Sequence, residues 1–201
     1  MINLLPITKT IILFSIISVT ITSIISAIAK SLFLVELSSI RVLFLISTPL
    51  EITILFLLTI GWRTVWKVFP KLNEWIFPDL NGEWTAIINW TWNHNGDIKK
   101  GEKHGSVTIK QSILKFSIEL KTDESESSTL VIKPFKDPES NRALVYYMYR
   151  SEQNRNSDAD HTEHNGAAIL KIPHGCFSII EGNYFTDRNS FGRYTFKKRN
   201  N

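Results

Sequence analysis

Cysteine is almost missing: Cys176 is the only one in 201 residues. An intrachain disulfide is therefore excluded, and with it the disulfide scaffold common in small secreted domains. Cys176 follows His174 and Gly175 at an expected turn and reads as a small packing residue. Without further thiolates, the best metal set is His161-Thr-Glu-His164 with Asp158 and Asp160. Its i, i+3 spacing suits a helix, but the stretch is a polar loop, so no metal site is expected. The glycines form no Walker loop or G-x-G-x-x-G at a strand–helix junction, and no Ser-His-Asp order can be placed. Neither catalysis nor a cofactor is expected. A large excess of one charge is missing too. The net charge is +4 with the basic residues scattered, which argues against a nucleic-acid polymer as partner. Lys197, Lys198 and Arg199 form the one basic cluster, at a tail where a solvated end is the ordinary reading.

Charge is also sparse before Leu80, and there its absence is informative. Residues 10–29 carry no charge and are bounded by Lys9 and Lys30. At about 1.5 Å per residue such a helix crosses a hydrocarbon core of roughly 30 Å. Residues 42–62 form a second run between Arg41 and Arg63, interrupted by Pro49 and Glu51, with Trp62 and Trp66 placed as interfacial anchors. Ala27-Ile28-Ala29 fits a signal-peptidase site, but the apolar stretch exceeds the ~7–15 residues of a signal peptide. The expected organisation is two transmembrane helices within 1–66, a juxtamembrane linker at 67–79 and a soluble domain at 80–201. Lys9, Arg63, Lys67 and Lys71 outnumber Lys30 and Arg41, which places the C-terminal domain in the cytoplasm.

Ser15, Ser18, Thr22 and Ser26 recur every three or four residues, along one helical face. Small hydroxyl residues allow helices to approach and hydrogen-bond, which points to self-association; the alternative is that each satisfies its own helix carbonyl. Glu51 is an ionisable group inside an apolar run and is expected to face protein or water, unless Pro49 starts the helix late and leaves it near an interface.

Beyond Leu80 the period becomes two. GEWTAIINWTW puts Trp84, Ala86, Ile88, Trp90 and Trp92 on one face, and ILKFSIEL alternates Leu114, Phe116, Ile118 and Leu120 with polar residues. Further strands are expected at 104–111, 127–134, 143–150, 167–172, 177–183 and 192–198. Turn chemistry separates them at Asn95-Gly96, 123–125, 136–140, 151–165, 173–175 and 187–190. The fold class predicted is a membrane α-helical hairpin plus an all-β domain, an antiparallel barrel or sandwich of about eight strands. An eight-stranded barrel has room for one small ligand. The polar loop 151–165 is expected to be mobile.

Two stretches have the chemistry of a polar binding surface. Thr122, Ser125, Ser127 and Ser128 cluster around one hairpin, where hydroxyls can contact phosphate or base edges or simply make a hydrophilic turn. EGNYFTDRNSFGRYTF, from Glu181 to Phe196, combines Arg188, a planar fork suited to phosphate, with the aromatic faces of Tyr184 and Phe185. An exposed Asp187–Arg188 pair on an ordinary hairpin is the alternative.

These motifs resemble a known family. Two apolar spans precede FPDLNGEW; then come IKQSILKFSIELKTDESESSTL, LVYYMYR, HNGAAILKI and EGNYFTDRNSFGRYTF, in that order. The chain is similar to the two-transmembrane β-barrel effectors of bacterial anti-phage CBASS systems, also called CD-NTase-associated membrane effectors. Gln111-Ser112 departs from the expected Gln-Thr but keeps the hydroxyl. The resemblance implies a receptor for a cyclic dinucleotide made by a partner nucleotidyltransferase. It implies residence in the inner membrane, homo-oligomerisation of the spans on activation, membrane disruption and death of the infected cell. Trp84, Thr122, Ser125, Ser127, Tyr147, His164, Tyr184, Thr186 and Arg188 stand in the matching motifs and become the expected ligand residues. Gly82-x-Trp84 is also similar to the opening of lipocalin barrels, which would imply a membrane-tethered carrier of an apolar molecule; Arg188, His164 and the serines oppose that. A hydrolase and a purely structural membrane hairpin are further rivals.

Overall fold

In the computed structural model, residues 7–33, 48–49, 52–54, 56–94, 96–113, 115–153 and 163–199 are described. Helix α1 (Ile7–Phe33) encloses the uncharged stretch anticipated as the first span and is 27 residues long. When only described residues are counted, no helix is long and apolar enough to cross a membrane. Much of the second expected span, Glu51 included, lies outside the described residues, and the hairpin is not seen. Its end is a π-helical turn (Leu57–Gly61) leading into α2 (Trp62–Val68), then α3 (Leu72–Trp75).

Eight strands follow: β1 (Gly82–His94), β2 (Asp97–Gln111), β3 (Phe116–Thr122), β4 (Ser125–Lys136), β5 (Ala143–Gln153), β6 (His164–Ile172), β7 (Ile179–Thr186) and β8 (Ser190–Lys198). Each is antiparallel to the next, and β8 closes on β1. The alternation of the sequence is what selects this: Trp84, Ala86 and Ile88 point inward while Glu83, Thr85 and Asn89 face water. Closure gives every strand a neighbour on both sides, with the pairing thinnest between β3 and β4. Strand β2 starts seven residues earlier than expected, because Gly96 (φ 95°) makes the tight reversal that lets polar 97–103 pair along β1. Strand β4 begins at Ser125, two residues before the expected start at 127, so Ser125 joins Ser127 and Ser128 on the strand.

The β3–β4 seam is the weakest part of the ladder. Pairing there is confined to Leu120–Ser127 and Lys121–Glu126. A bulge between Thr129 and Val131 then bends β4 away, and the Thr129 hydroxyl takes over, accepting from Ile118 N at 2.8 Å and donating to Ile118 O at 2.7 Å. Pro134, which has no N–H to donate, is tolerated beyond this point.

The inward-facing residues change character along the barrel axis. At the end where the linker enters, the core is dry: Phe77, Leu80, Trp84, Val107, Ile109, Ile118, Leu170 and Phe196 are all essentially inaccessible. The linker itself plugs this end. Trp62 and Trp66 are buried edge to face, Trp66 Nε1 donates to Phe77 O at 2.9 Å, and Arg63 pairs with Asp79 at 3.0 Å. Gln111 locks the plug from β2. Its side chain accepts from Leu80 N at 2.7 Å and donates to Pro78 O at 3.0 Å.

Candidate functional site

Four tyrosines form a layer across the middle of the barrel. Tyr184 and Tyr194 stack at 4.3 Å, Tyr147 and Tyr149 at 5.1 Å, and Tyr194 OH donates to Tyr149 OH at 2.9 Å. Burial pushes the Tyr149 phenol up to about 12 and raises Tyr194 and Tyr184 as well, so all three are neutral at ordinary pH. Tyr147 OH lies deeper, is buried and completes no hydrogen bond; burial raises it too, with the Ser127 hydroxyl acting the other way. Glycines make space for the rings. A Cβ on Gly166 would stand 2.3 Å from the Tyr149 ring, and one on Gly101 would stand 2.6 Å from the Trp90 ring.

Above this layer, at the end away from the linker, the inward positions turn polar and enclose a cavity of about 310 Å³. Its floor and walls are aromatic, from Tyr149, Tyr184, Tyr194, Trp90 and Trp92, with Ile88 and Leu120. Its rim carries hydroxyls from Thr122, Ser125, Ser127, Ser151, Thr186 and Ser190. Three nitrogenous side chains come from three elements: Lys103 from β2, His164 from β6 and Arg188 from the β7–β8 turn. Among the described residues, no carboxylate lines it. The result is a cationic mouth over π faces, a combination suited to an anion that carries planar rings.

Two turns at the mouth are built alike. Thr122 Oγ1 accepts from Ser125 N at 3.0 Å and closes β3–β4. Thr186 Oγ1 donates to Ser190 O at 3.1 Å and accepts from Ser190 N at 3.3 Å, closing β7–β8, where Asn189 takes φ 57°. Both threonines therefore already serve the turns. Arg188 anchors with one arm only, Nη2 donating to Glu163 O at 3.1 Å. Asp187 accepts from Asn165 N at 2.9 Å, which pins the turn to β6. His164 is half-buried with its Nδ1 unbonded, and burial, then Arg188, holds its pKa below the usual value.

Of the nine expected ligand residues, seven line this cavity: Thr122, Ser125, Ser127, His164, Tyr184, Thr186 and Arg188. Trp84 does not. It sits in the dry end, donating from Nε1 to Leu80 O at 2.9 Å, with Lys198 over its ring. Tyr147 lies beneath the floor rather than on it. The sequence reading missed Trp90, Trp92, Lys103, Tyr149, Ser151, Ser190 and Tyr194. The alternation of β1 and β5 carried the signal: Trp90 and Trp92 share the face of Trp84, and Tyr149 and Ser151 that of Tyr147. What was missing was which end of the barrel is open.

On α1, Thr22 donates its hydroxyl to Ser18 O at 2.8 Å, within its own helix. The Ser15 side chain is exposed, Ser18 is half-buried, and the Ser26 side chain falls outside the description. Among the described residues, no group of histidines, cysteines and carboxylates is placed to hold a metal ion.

Comparison with known proteins bears on this site. The family model described as Cap15, cyclic dinucleotide receptor domain, matches residues 75–198, which is the barrel with the end of its linker. The chain is also similar to CD-NTase-associated protein 15 of Staphylococcus schleiferi: 27% identical over 150 residues, covering 73% of this chain and 76% of that protein.

Proposed function

The chain belongs to the Cap15 family of cyclic dinucleotide receptor domains, and from that premise we propose that it is a CBASS effector that binds a cyclic dinucleotide in the open end of its barrel. The observation that carries this is the change along the barrel axis: apolar inward residues at the linker end, and at the other a cavity with aromatic walls, Arg188, Lys103 and, among the described residues, no acidic lining. A cyclic dinucleotide carries two phosphodiester anions and two planar bases. The guanidinium and ammonium answer the first. Trp90, Trp92 and the tyrosine faces answer the second. A carrier of apolar molecules has no use for these cations.

In this reading the nucleotide comes from a partner nucleotidyltransferase. Helix α1 and the apolar segment ahead of α2 anchor the chain in the inner membrane, with the barrel in the cytoplasm. The bound messenger favours an assembled state of the membrane segments over the separate one, which is the condition for any ligand to shift such an equilibrium. Assembly then breaches the membrane and the infected cell dies.

The test is a thermal-shift series on the full chain in detergent, against cyclic dinucleotides of 3′,3′, 3′,2′ and 2′,3′ linkage built from adenosine, guanosine, cytidine and uridine. Saturation at a hundredfold over Kd stabilises by about 2.7 kcal/mol, so one or more compounds should raise Tm by roughly 5–10 °C for a chain of this size. A flat response across the set would refute messenger binding.

A further inference from the structure

Arg188, Lys103 and His164 converge on one small mouth, to which Arg188 brings a guanidinium and Lys103 an ammonium. Resting on the messenger-binding reading above, we infer that His164 takes up a proton as an anionic cyclic dinucleotide enters, so that its imidazolium becomes a third cation holding the phosphates.

The geometry gives the free protein little reason to protonate this ring. His164 opens β6 opposite buried Ser151 of β5, and its Nδ1 is enclosed without a hydrogen-bond partner. A second ring proton would find no acceptor there. The charged groups around it are Arg188 and Asp187 from the β7–β8 turn and Lys103 from β2, whose ammonium is paired with Glu124 at 2.5 Å. The β5 and β8 residues that reach the cavity, Tyr149, Ser151, Ser190 and Tyr194, are uncharged. Among the described residues, Asp187 is the one anion acting on the ring, and its carboxylate is already committed to Asn165 N. Burial and the Arg188 charge outweigh it, and the pKa is lowered.

An entering phosphodiester reverses that balance. It supplies an acceptor and a negative charge in a partly desolvated site, where such charges act strongly. The pKa of His164 in the complex then rises above its value in the empty protein. Between the two values, binding carries a proton with it. Affinity therefore increases as pH falls through the complex value and levels off below the free one. The phosphodiesters stay ionised throughout and the bases do not titrate near neutrality, so the proton is assignable to the protein.

The experiment is calorimetric titration of the full chain in detergent with the cyclic dinucleotide giving the largest thermal shift. It is run at neutral pH in two buffers of different ionisation enthalpy. The wild type should take up a substantial fraction of one proton, and its affinity should climb by up to about tenfold per pH unit on mild acidification. His164→Gln should take up no proton, and whatever affinity it keeps should not vary with pH over the same range. The chain has five histidines. NMR titration of their labelled rings in the wild type, with and without nucleotide, assigns the proton even if the variant fails to fold. Zero uptake by a wild type that binds, or equal uptake by His164→Gln, would overturn the inference and leave messenger binding standing. No binding by any compound would overturn both.

Discussion

At the residue scale, Arg188 is the side chain whose removal should separate binding from folding. Its one protein hydrogen bond is to an exposed carbonyl, so Arg188→Ala should barely move the melting temperature. A lost charge-assisted bond is worth about 1.5–3 kcal/mol, so affinity for the messenger should fall by about 10- to 100-fold in the same calorimetric assay. Gly166 should behave in the opposite way. Gly166→Ala would put a methyl 2.3 Å from the Tyr149 ring. The ring must swing into the cavity, at about 1–3 kcal/mol for overpacking, and both denaturant midpoint and affinity should drop. Arg188 could be singled out from sequence because a bare cation beside aromatics has a chemical meaning by itself. The value of Gly166 could not. It exists only because β5 and β6 bring it opposite Tyr149, and a register is not written in either strand alone.

At the element scale, the tyrosine layer and the linker plug each make a separate prediction. Tyr149 and Tyr194 have folded pKa values above the ordinary 10. The folded state therefore holds phenolic protons that the unfolded chain releases. Stability should be level below pH 10 and decline as pH rises toward about 12, the Tyr149 value. Tyrosinate absorbance for these rings and loss of near-ultraviolet circular dichroism should coincide; tyrosinate appearing well before unfolding would contradict the layer's burial. In the plug, Gln111→Ala leaves Leu80 N and Pro78 O without partners. At about 1–3 kcal/mol per stranded group, the barrel should lose roughly 2–6 kcal/mol in urea titration. The strands themselves were legible because alternation repeats within each one. The start of β2 was not, since residues 97–103 are polar on both faces and acquire strand conformation from pairing with β1. The dry and wet ends were likewise invisible, because each strand mixes both and only closure aligns them.

At the scale of the whole molecule, the proposal divides the work between a receptor and a membrane segment, and the division can be tested. Replacing Ser15, Ser18, Thr22 and Ser26 together by Leu should leave messenger affinity unchanged while preventing messenger-dependent cross-linking of the chain in membranes. Equal cross-linking in the variant would remove that face from the assembly and favour the reading in which each hydroxyl serves its own helix, as Thr22 does with Ser18 O. The plug also has a mechanical consequence. With Trp62, Trp66 and Phe77 sunk in the core and Arg63 tied to Asp79, α2 and the approach to β1 are both held to the barrel. The barrel and its stalk must turn together as a single lever. Any pivot between receptor and lipid is thereby displaced to the N-terminal side of Trp62, where the chain passes through the π-helical turn at Leu57–Gly61.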